Sequence, residues 1–342
     1  MYLGAPAGWL GGRLMVPGRS GRENIRRMKV LITELIWPEG LEELEAFGSV
    51  EYAPQLWRDS EALRQRSRSA HALIVRNQTR VDAALLQHSA SLKAIGRLGA
   101  GLDNIDLGAA RDRGVPVIYA RNVNAVSAAE YVMATIFQCS RNLFAADEDV
   151  RAGNWDRRRF AGSEVYGKTL GLVGVGEIAQ RVARRATVFG MRVLGYDPYV
   201  NPYDYPLVET KVELADLDAL LASSDFVSLH VPLNQTTWYL FSWATFERMK
   251  LSAWLINTSR GRVVNEADLA RALTDGLLGG TVLDVLEDEP ISNTSPLLKQ
   301  DHVMVTPHIA GLTEEAQVNT SVLVAQEVIK VLQGRPSLCV VG

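Results

Sequence analysis

The chain has 342 residues, 47% of them hydrophobic and 22% charged, and carries a formal net charge of −3 at pH 7. That length exceeds what one core supports and points to two domains, while the charge gives no electrostatic footprint for nucleic acid or an anionic membrane surface. No stretch approaches the ~20 apolar residues of a spanning helix; the two cysteines, Cys139 and Cys339, make neither a disulfide framework nor a metal-ligand spacing and fit a reducing cytoplasm.

Residues 1–28, rich in Gly and Arg, read as a disordered extension, with Met28-Lys29-Val30 as a natural start running into a strand. Glycine and proline break their apolar stretch, which is the wrong order for a signal peptide; an organellar transit segment is the alternative, since acids are absent until Glu23. From Lys29 onward, "KVLITEL", "HALIVRN", "LKAIGRL" and "VPVIYA" are continuously apolar strands of the kind buried on both faces. Helical segments such as "EGLEELEAFG" and "VDAALLQHS" separate them, the alternation of a parallel α/β sheet. A long helix is predicted from Ser127 to Arg151, with Ser127 as cap and Glu130 three residues on. The alternation resumes with "KTLGLVG", "MRVLGYD", "FVSLHVPL", "AWLINTS", "GGTVLDV" and "HVMVTPH". A last helix from Thr313 to Gln333 stops at Gly334 with Pro336 behind it.

"KTLGLVGVGEIAQRVA" holds the most informative turn. A strand runs into Gly174-Val175-Gly176-Glu177-Ile178-Ala179 and a helix leaves it. Gly174 permits the tight turn, Gly176 lets backbone approach a pyrophosphate, and Ala179 still allows close helix–strand packing. Phosphates would rest on free amides at the helix N-terminus. The next strand ends in Asp197, near the spacing expected of a ribose-binding acid. Its carboxylate would repel a 2′-phosphate, and Pro198 and Tyr199 follow without an Arg to receive one, so NAD is favoured over NADP.

Three further strands end in reactive side chains: Arg260 after "AWLINTS", Asp284 and then Glu289 in "GGTVLDVLEDEP", and His308 in "VMVTPHIAG". Each alone has a plain structural reading, but in parallel sheets ligands gather at the carboxyl ends. Hydride exchange with a 2-hydroxy acid needs a proton carrier and a cation for the carboxylate. Arg260 offers a planar fork for the carboxylate, the His308 imidazole is suited to give and take the hydroxyl proton, and Glu289 would favour the imidazolium and fix its tautomer.

The motifs "GRLGAGLDNIDL", "GLVGVGEIAQ", "SLHVPL", "NTSRGRVVNE", "LDVLEDEP" and "TPHIAG" occur in this order. By them the chain resembles the D-2-hydroxyacid dehydrogenase family from Lys29 to its end. "ALIVRNQTRVD" and "NWDRRRFAGSEVYGKTLG" make it most similar to the phosphoglycerate dehydrogenase branch and the related sulfolactate dehydrogenases. The resemblance implies two Rossmann-like parallel-sheet domains: a flavodoxin-like substrate domain over 29–124 plus 310–342, and an NAD-binding domain over 125–309. The two would close over the reactants through hinges near residues 124 and 309. It implies Arg260, Glu289 and His308 as catalytic trio, Asp284 near the nicotinamide amide, and cofactor contacts at Glu177, Ile178, Asp197, His230, Thr258 and Ser259. Amides around Ala100 and Gly101 would bind the substrate carboxylate. A cytoplasmic homodimer acting on a small 2-hydroxy or 2-keto acid follows, without nucleic acid, membrane or metal.

Two departures stand out: Asn265 where the family has Asp, and a bulky Trp238. Glu289 stands where formate dehydrogenases of the superfamily have Gln, which argues against formate. The chain stops soon after its last helix, so the resemblance implies no appended regulatory domain. Arg76 matches a family arginine near the substrate's distal anionic group, and Arg141 one that reaches in from a partner subunit. Arg157, Arg158 and Arg159 read first as a solvated or inter-subunit face. The expected substrate is a three-carbon acid with an anionic C3 group, 3-phosphoglycerate or 3-sulfolactate. A hydroxypyruvate or glyoxylate reductase is the near alternative, and an NAD-sensing corepressor-like binding protein the alternative of another class.

Overall fold

The structure is a computed structural model that describes residues 28–341. The reading of residues 1–28 as a disordered extension lies outside it, Met28 apart. The chain forms two compact units, one running to Ala120 and resuming at Val318, the other spanning Arg121–Gln317. The expected divisions stood at 124/125 and 309/310.

The first unit holds five parallel strands: β1 (Lys29–Ile32), β2 (Ser49–Tyr52), β3 (Ala72–Val75), β4 (Ala94–Arg97) and β5 (Val117–Tyr119), in the order β2-β1-β3-β4-β5. This is the flavodoxin order. Central β3 is buried at every residue, as its unbroken "ALIV" requires of a strand covered on both faces. Edge strand β2, "SVEY", has no fully buried residue; its mixed polarity gives no strand signal, so it goes unread in the sequence. Gly96 in β4 admits the last helix, Glu314–Leu332, because a Cβ there would meet Val324 and Val328 of that helix at 2.8 and 2.9 Å.

The second unit holds seven parallel strands: β6 (Thr169–Val173), β7 (Arg192–Tyr196), β8 (Glu213–Leu214), β9 (Phe226–Leu229), β10 (Trp254–Asn257), β11 (Gly280–Leu283) and β12 (Val303–Val305). Their order is β12-β11-β10-β9-β6-β7-β8. The order reverses between β6 and β9, the switch point at whose carboxyl side a doubly wound sheet takes its ligand. Separate apolar cores cover the two faces: Phe241, Phe246, Leu255 and Leu269 belong to one, Val132, Ile136, Leu172 and Val182 to the other. Each such side chain contributes roughly 1.5–3 kcal/mol by leaving water.

The long helix expected over 127–151 is two helices, Ala125–Arg141 and Leu143–Arg151, broken at Asn142. Asn142 takes φ 47° and ψ 47°, the left-handed region that asparagine tolerates better than most residues. The expected Ser127 cap is also corrected. The helix begins two residues earlier, and the Ser127 hydroxyl pairs with that of Thr313 at 3.0 Å. The helix Leu143–Arg151 has no buried residue at all.

Candidate active site

Gly174 follows β6 at φ +88°, and a Cβ there would lie 2.8 Å from the backbone carbonyl of His230, so only glycine closes this turn. A Cβ on Gly176 would meet nothing within 4 Å, which leaves room over the start of the helix Glu177–Val188. That helix has no side-chain cap, so no capping bond occupies its first amides. The Glu177 side chain turns away to pair with Arg181. Asp197, after β7, accepts from the Val175 amide on one oxygen and the Tyr199 amide on the other, both at 3.0 Å. Each oxygen keeps a lone pair for a hydroxyl.

His230 and Thr258 follow β9 and β10, which run in register to Leu229↔Asn257. The His230 Nε2 bonds Ser228 at 3.0 Å, whereas its Nδ1 and the Thr258 hydroxyl are buried without a hydrogen-bond partner. Native interiors rarely leave such atoms unsatisfied; two of them beside a glycine turn and an uncapped helix fit a bound dinucleotide. Burial pushes the His230 pKa down to about 4, so the ring is neutral.

The catalytic candidates converge in the same unit. His308 Nδ1 lies 2.9 Å from the Glu289 Oε2. The other Glu289 oxygen accepts from the Leu286 amide at 3.2 Å. Burial opposes ionisation of Glu289, but the hydrogen bond and charge of His308, the Leu286 amide and the charge of Arg260 together hold it below the usual carboxylate range. Glu289 is thus the member on which both others act.

Several residues that build this arrangement are not evident as site residues in the sequence. Asn257, fully buried, accepts both the amide and the hydroxyl of Ser259 and donates to the Arg260 carbonyl at 2.9 Å. It fixes the turn that presents Arg260 and commits the Ser259 hydroxyl to the frame. A Cβ on Gly261 would fall 1.9 Å from the Leu286 carbonyl, so the Arg260 turn and the Glu289 loop run backbone to backbone. Reciprocal bonds tie them further: the Glu266 amide to Glu287, the Glu287 amide to Glu266, and the Tyr239 hydroxyl to Glu287. Asn265, the departure from the family pattern, caps the helix Glu266–Thr274 by accepting from the Asp268 amide. Asp284, 1% exposed, accepts from Thr306, Ile309 and Ala310 at 2.6–2.8 Å and so braces the turn bearing His308. Unlike the others it was singled out in the sequence, as a strand-end acid expected near the nicotinamide amide.

In the first unit, the buried Glu34 carboxylate accepts four successive amides, Arg76 to Thr79, at 2.8–3.2 Å. Asn104 adds bonds to the carbonyls of Arg76 and Thr79. Burial lowers the Arg76 pKa against the opposing charge of Glu34. Gly99, at φ +143°, opens the loop that carries Ala100 and Gly101. Among the described residues no group of three His, Cys, Asp or Glu side chains could hold a metal ion.

A doubly wound sheet with a glycine turn at its switch point, an uncapped helix start and an acid–base pair on the neighbouring strand ends defines a dinucleotide-binding α/β class. The chain belongs to the D-isomer specific 2-hydroxyacid dehydrogenase family, whose NAD binding domain matches residues 133–310. It is 40% identical over 309 residues to the D-3-phosphoglycerate dehydrogenase of Archaeoglobus fulgidus, a match that covers 90% of this chain and 58% of that protein. The chain therefore spans little more than half the length of that relative. With the (S)-sulfolactate dehydrogenase of Chromohalobacter salexigens it shares 42% identity over 303 residues, 89% of this chain and 98% of the other. A crystal structure of a Thermus thermophilus protein matches with a TM-score of 0.86 at 32% identity, covering 92% of this chain and 100% of that one.

Proposed function

We propose that this chain is an NAD-dependent 2-hydroxyacid dehydrogenase that interconverts a 2-hydroxy acid and its 2-keto acid. The observation that carries the reading is the 2.9 Å bond between His308 and Glu289, with the charge of Arg260 acting on the same carboxylate. Gly174, Gly176, Glu177, Ile178, Asp197, His230 and Thr258 would hold the dinucleotide, with Ser259 and Asp284 behind them. When bound, NAD supplies the hydride exchange at the substrate C2. Arg260 holds the carboxylate and polarises the C2 carbonyl by its paired N–H groups. In reduction His308, steadied as imidazolium by Glu289, donates its Nε2 proton to the C2 oxygen; in oxidation the neutral ring takes that proton back.

The substrate we propose is a three-carbon acid with an anionic C3 group. Two relatives bear the names of such acids, phosphoglycerate and sulfolactate, and Arg76, Ala100 and Gly101 are the residues assigned to bind it. An absorbance screen of small 2-hydroxy acids with NAD, ranked by kcat/KM, tests this. Highest values for 3-phosphoglycerate or 3-sulfolactate, reduced at least tenfold by Arg76→Ala, are expected. Highest values for glycerate or glycolate, unchanged in that variant, would replace the anionic-tail reading with a hydroxypyruvate or glyoxylate reductase. No turnover of any acid with NADH binding intact would favour a corepressor-like role.

The protein we place in the cytoplasm as a homodimer. Both cysteines are free thiols, and among the described residues no helix is long and apolar enough to cross a membrane. The helix Leu143–Arg151 and the loop after it leave Leu143, Phe144, Val150 and Trp155 exposed, an apolar set suited to a second copy.

A further inference from the structure

We propose that Tyr131 is a positioning residue for His308, acting through Thr306 and Asp284. The inference rests on the proton-carrier role of His308 given above. His308 stands at φ +57°, in the left-handed region, where a residue with a Cβ stays only when its surroundings impose it. The imposing group is Asp284. Its carboxylate accepts the Thr306 hydroxyl at 2.6 Å on one side of His308, and the Ile309 and Ala310 amides at 2.8 Å on the other. The imidazole therefore sits at the apex of a turn strapped across its base.

Proton directions in this strap follow from chemistry. An ionised carboxylate only accepts, so the Thr306 hydroxyl spends its one proton on Asp284 and must itself receive from elsewhere. The Tyr131 hydroxyl lies 2.5 Å from it and is the donor. Tyr131 projects from the helix Ala125–Arg141, far along the chain from the turn. Burial first, then the Asp284 charge, raises the Tyr131 pKa to about 12, so the hydroxyl keeps its proton at working pH. The chain Tyr131→Thr306→Asp284 thus anchors the His308 turn to a packed helix.

Tyr131→Phe keeps the ring and removes only the anchoring proton. Tested on the full chain with NADH and the best keto acid of the screen above, it is expected to lower kcat roughly tenfold, the scale of a small misplacement of a reacting group. The Kd for NADH should stay unchanged. Thr306→Val should reproduce the loss and Thr306→Ser should not. In a His308→Ala background, itself slowed by ~10²–10⁴, Tyr131→Phe should cost nothing further. An equal loss in both backgrounds, or no loss in the parent, overturns the positioning role and leaves that of His308 standing. A His308→Ala enzyme as fast as the parent overturns both.

Discussion

In the proposed mechanism His308 is the acid of the reduction, and the ionised Glu289 beside it favours its charged form. Glu289→Gln preserves the shape but removes a negative charge 2.9 Å from the imidazole, which disfavours the imidazolium. The alkaline fall of kcat/KM for reduction should therefore move to lower pH in the variant. A shift to higher pH in the measured profile would contradict the assignment. His230 gives a second pH effect of opposite origin. Its folded pKa, about 4, is lowered from 6.5 by burial, so below 6.5 the unfolded chain binds a proton that the folded chain refuses. Its contribution to stability is whole above pH 6.5 and falls away towards pH 4, by up to about 3 kcal/mol. Urea unfolding at pH 7 and pH 4.5 should show a smaller drop for His230→Gln than for the parent.

At the scale of elements, the site is a meeting of strand-end turns, and Gly261 sets how close two of them come. Gly261→Ala would place a methyl 1.9 Å from the Leu286 carbonyl, where neither backbone has room to give. We expect a loss of roughly 1–3 kcal/mol in denaturant unfolding, together with a kcat/KM that falls more than the Kd for NADH changes. The elements that could be read in advance were those with strong local signals: apolar runs for the central strands, glycines and a distant acid for the nucleotide turn, Gly334 for the last helix. What escaped depended on single residues or on distance. Asn142 breaks a helix whose periodicity continues across it, and β2 and β8 are short edge strands without a buried row. Glu34 looks like an ordinary acid until the fold brings backbone amides to it, and Asp284, singled out as a strand-end acid, gave no sign of the amides it binds in the His308 turn.

For the molecule as a whole, the two parallel sheets were legible because buried strands write continuous apolar runs, whereas their orders are tertiary facts. The proposed catalytic trio stands out in the sequence only as residue types at strand ends, and the groups packed around it, from Asn257 to Tyr131, do not stand out at all. The exposed apolar set on and after Leu143–Arg151 makes a prediction at this scale. The parent should sediment as a dimer, and Phe144→Glu combined with Trp155→Glu should give monomers with an unchanged far-ultraviolet dichroism spectrum. A monomeric parent would remove the proposed assembly.

Glu34 carries one more implication. A buried acid grips the peptide groups of residues 76–79 rather than their side chains, so the hydrogen bonds that shape the bend do not depend on which side chains it displays at 77 and 78. Under the proposed placement of the substrate's tail at this bend, those positions can be re-lettered over evolutionary time, or by design, to suit a different acid, while the hook beneath them keeps its form.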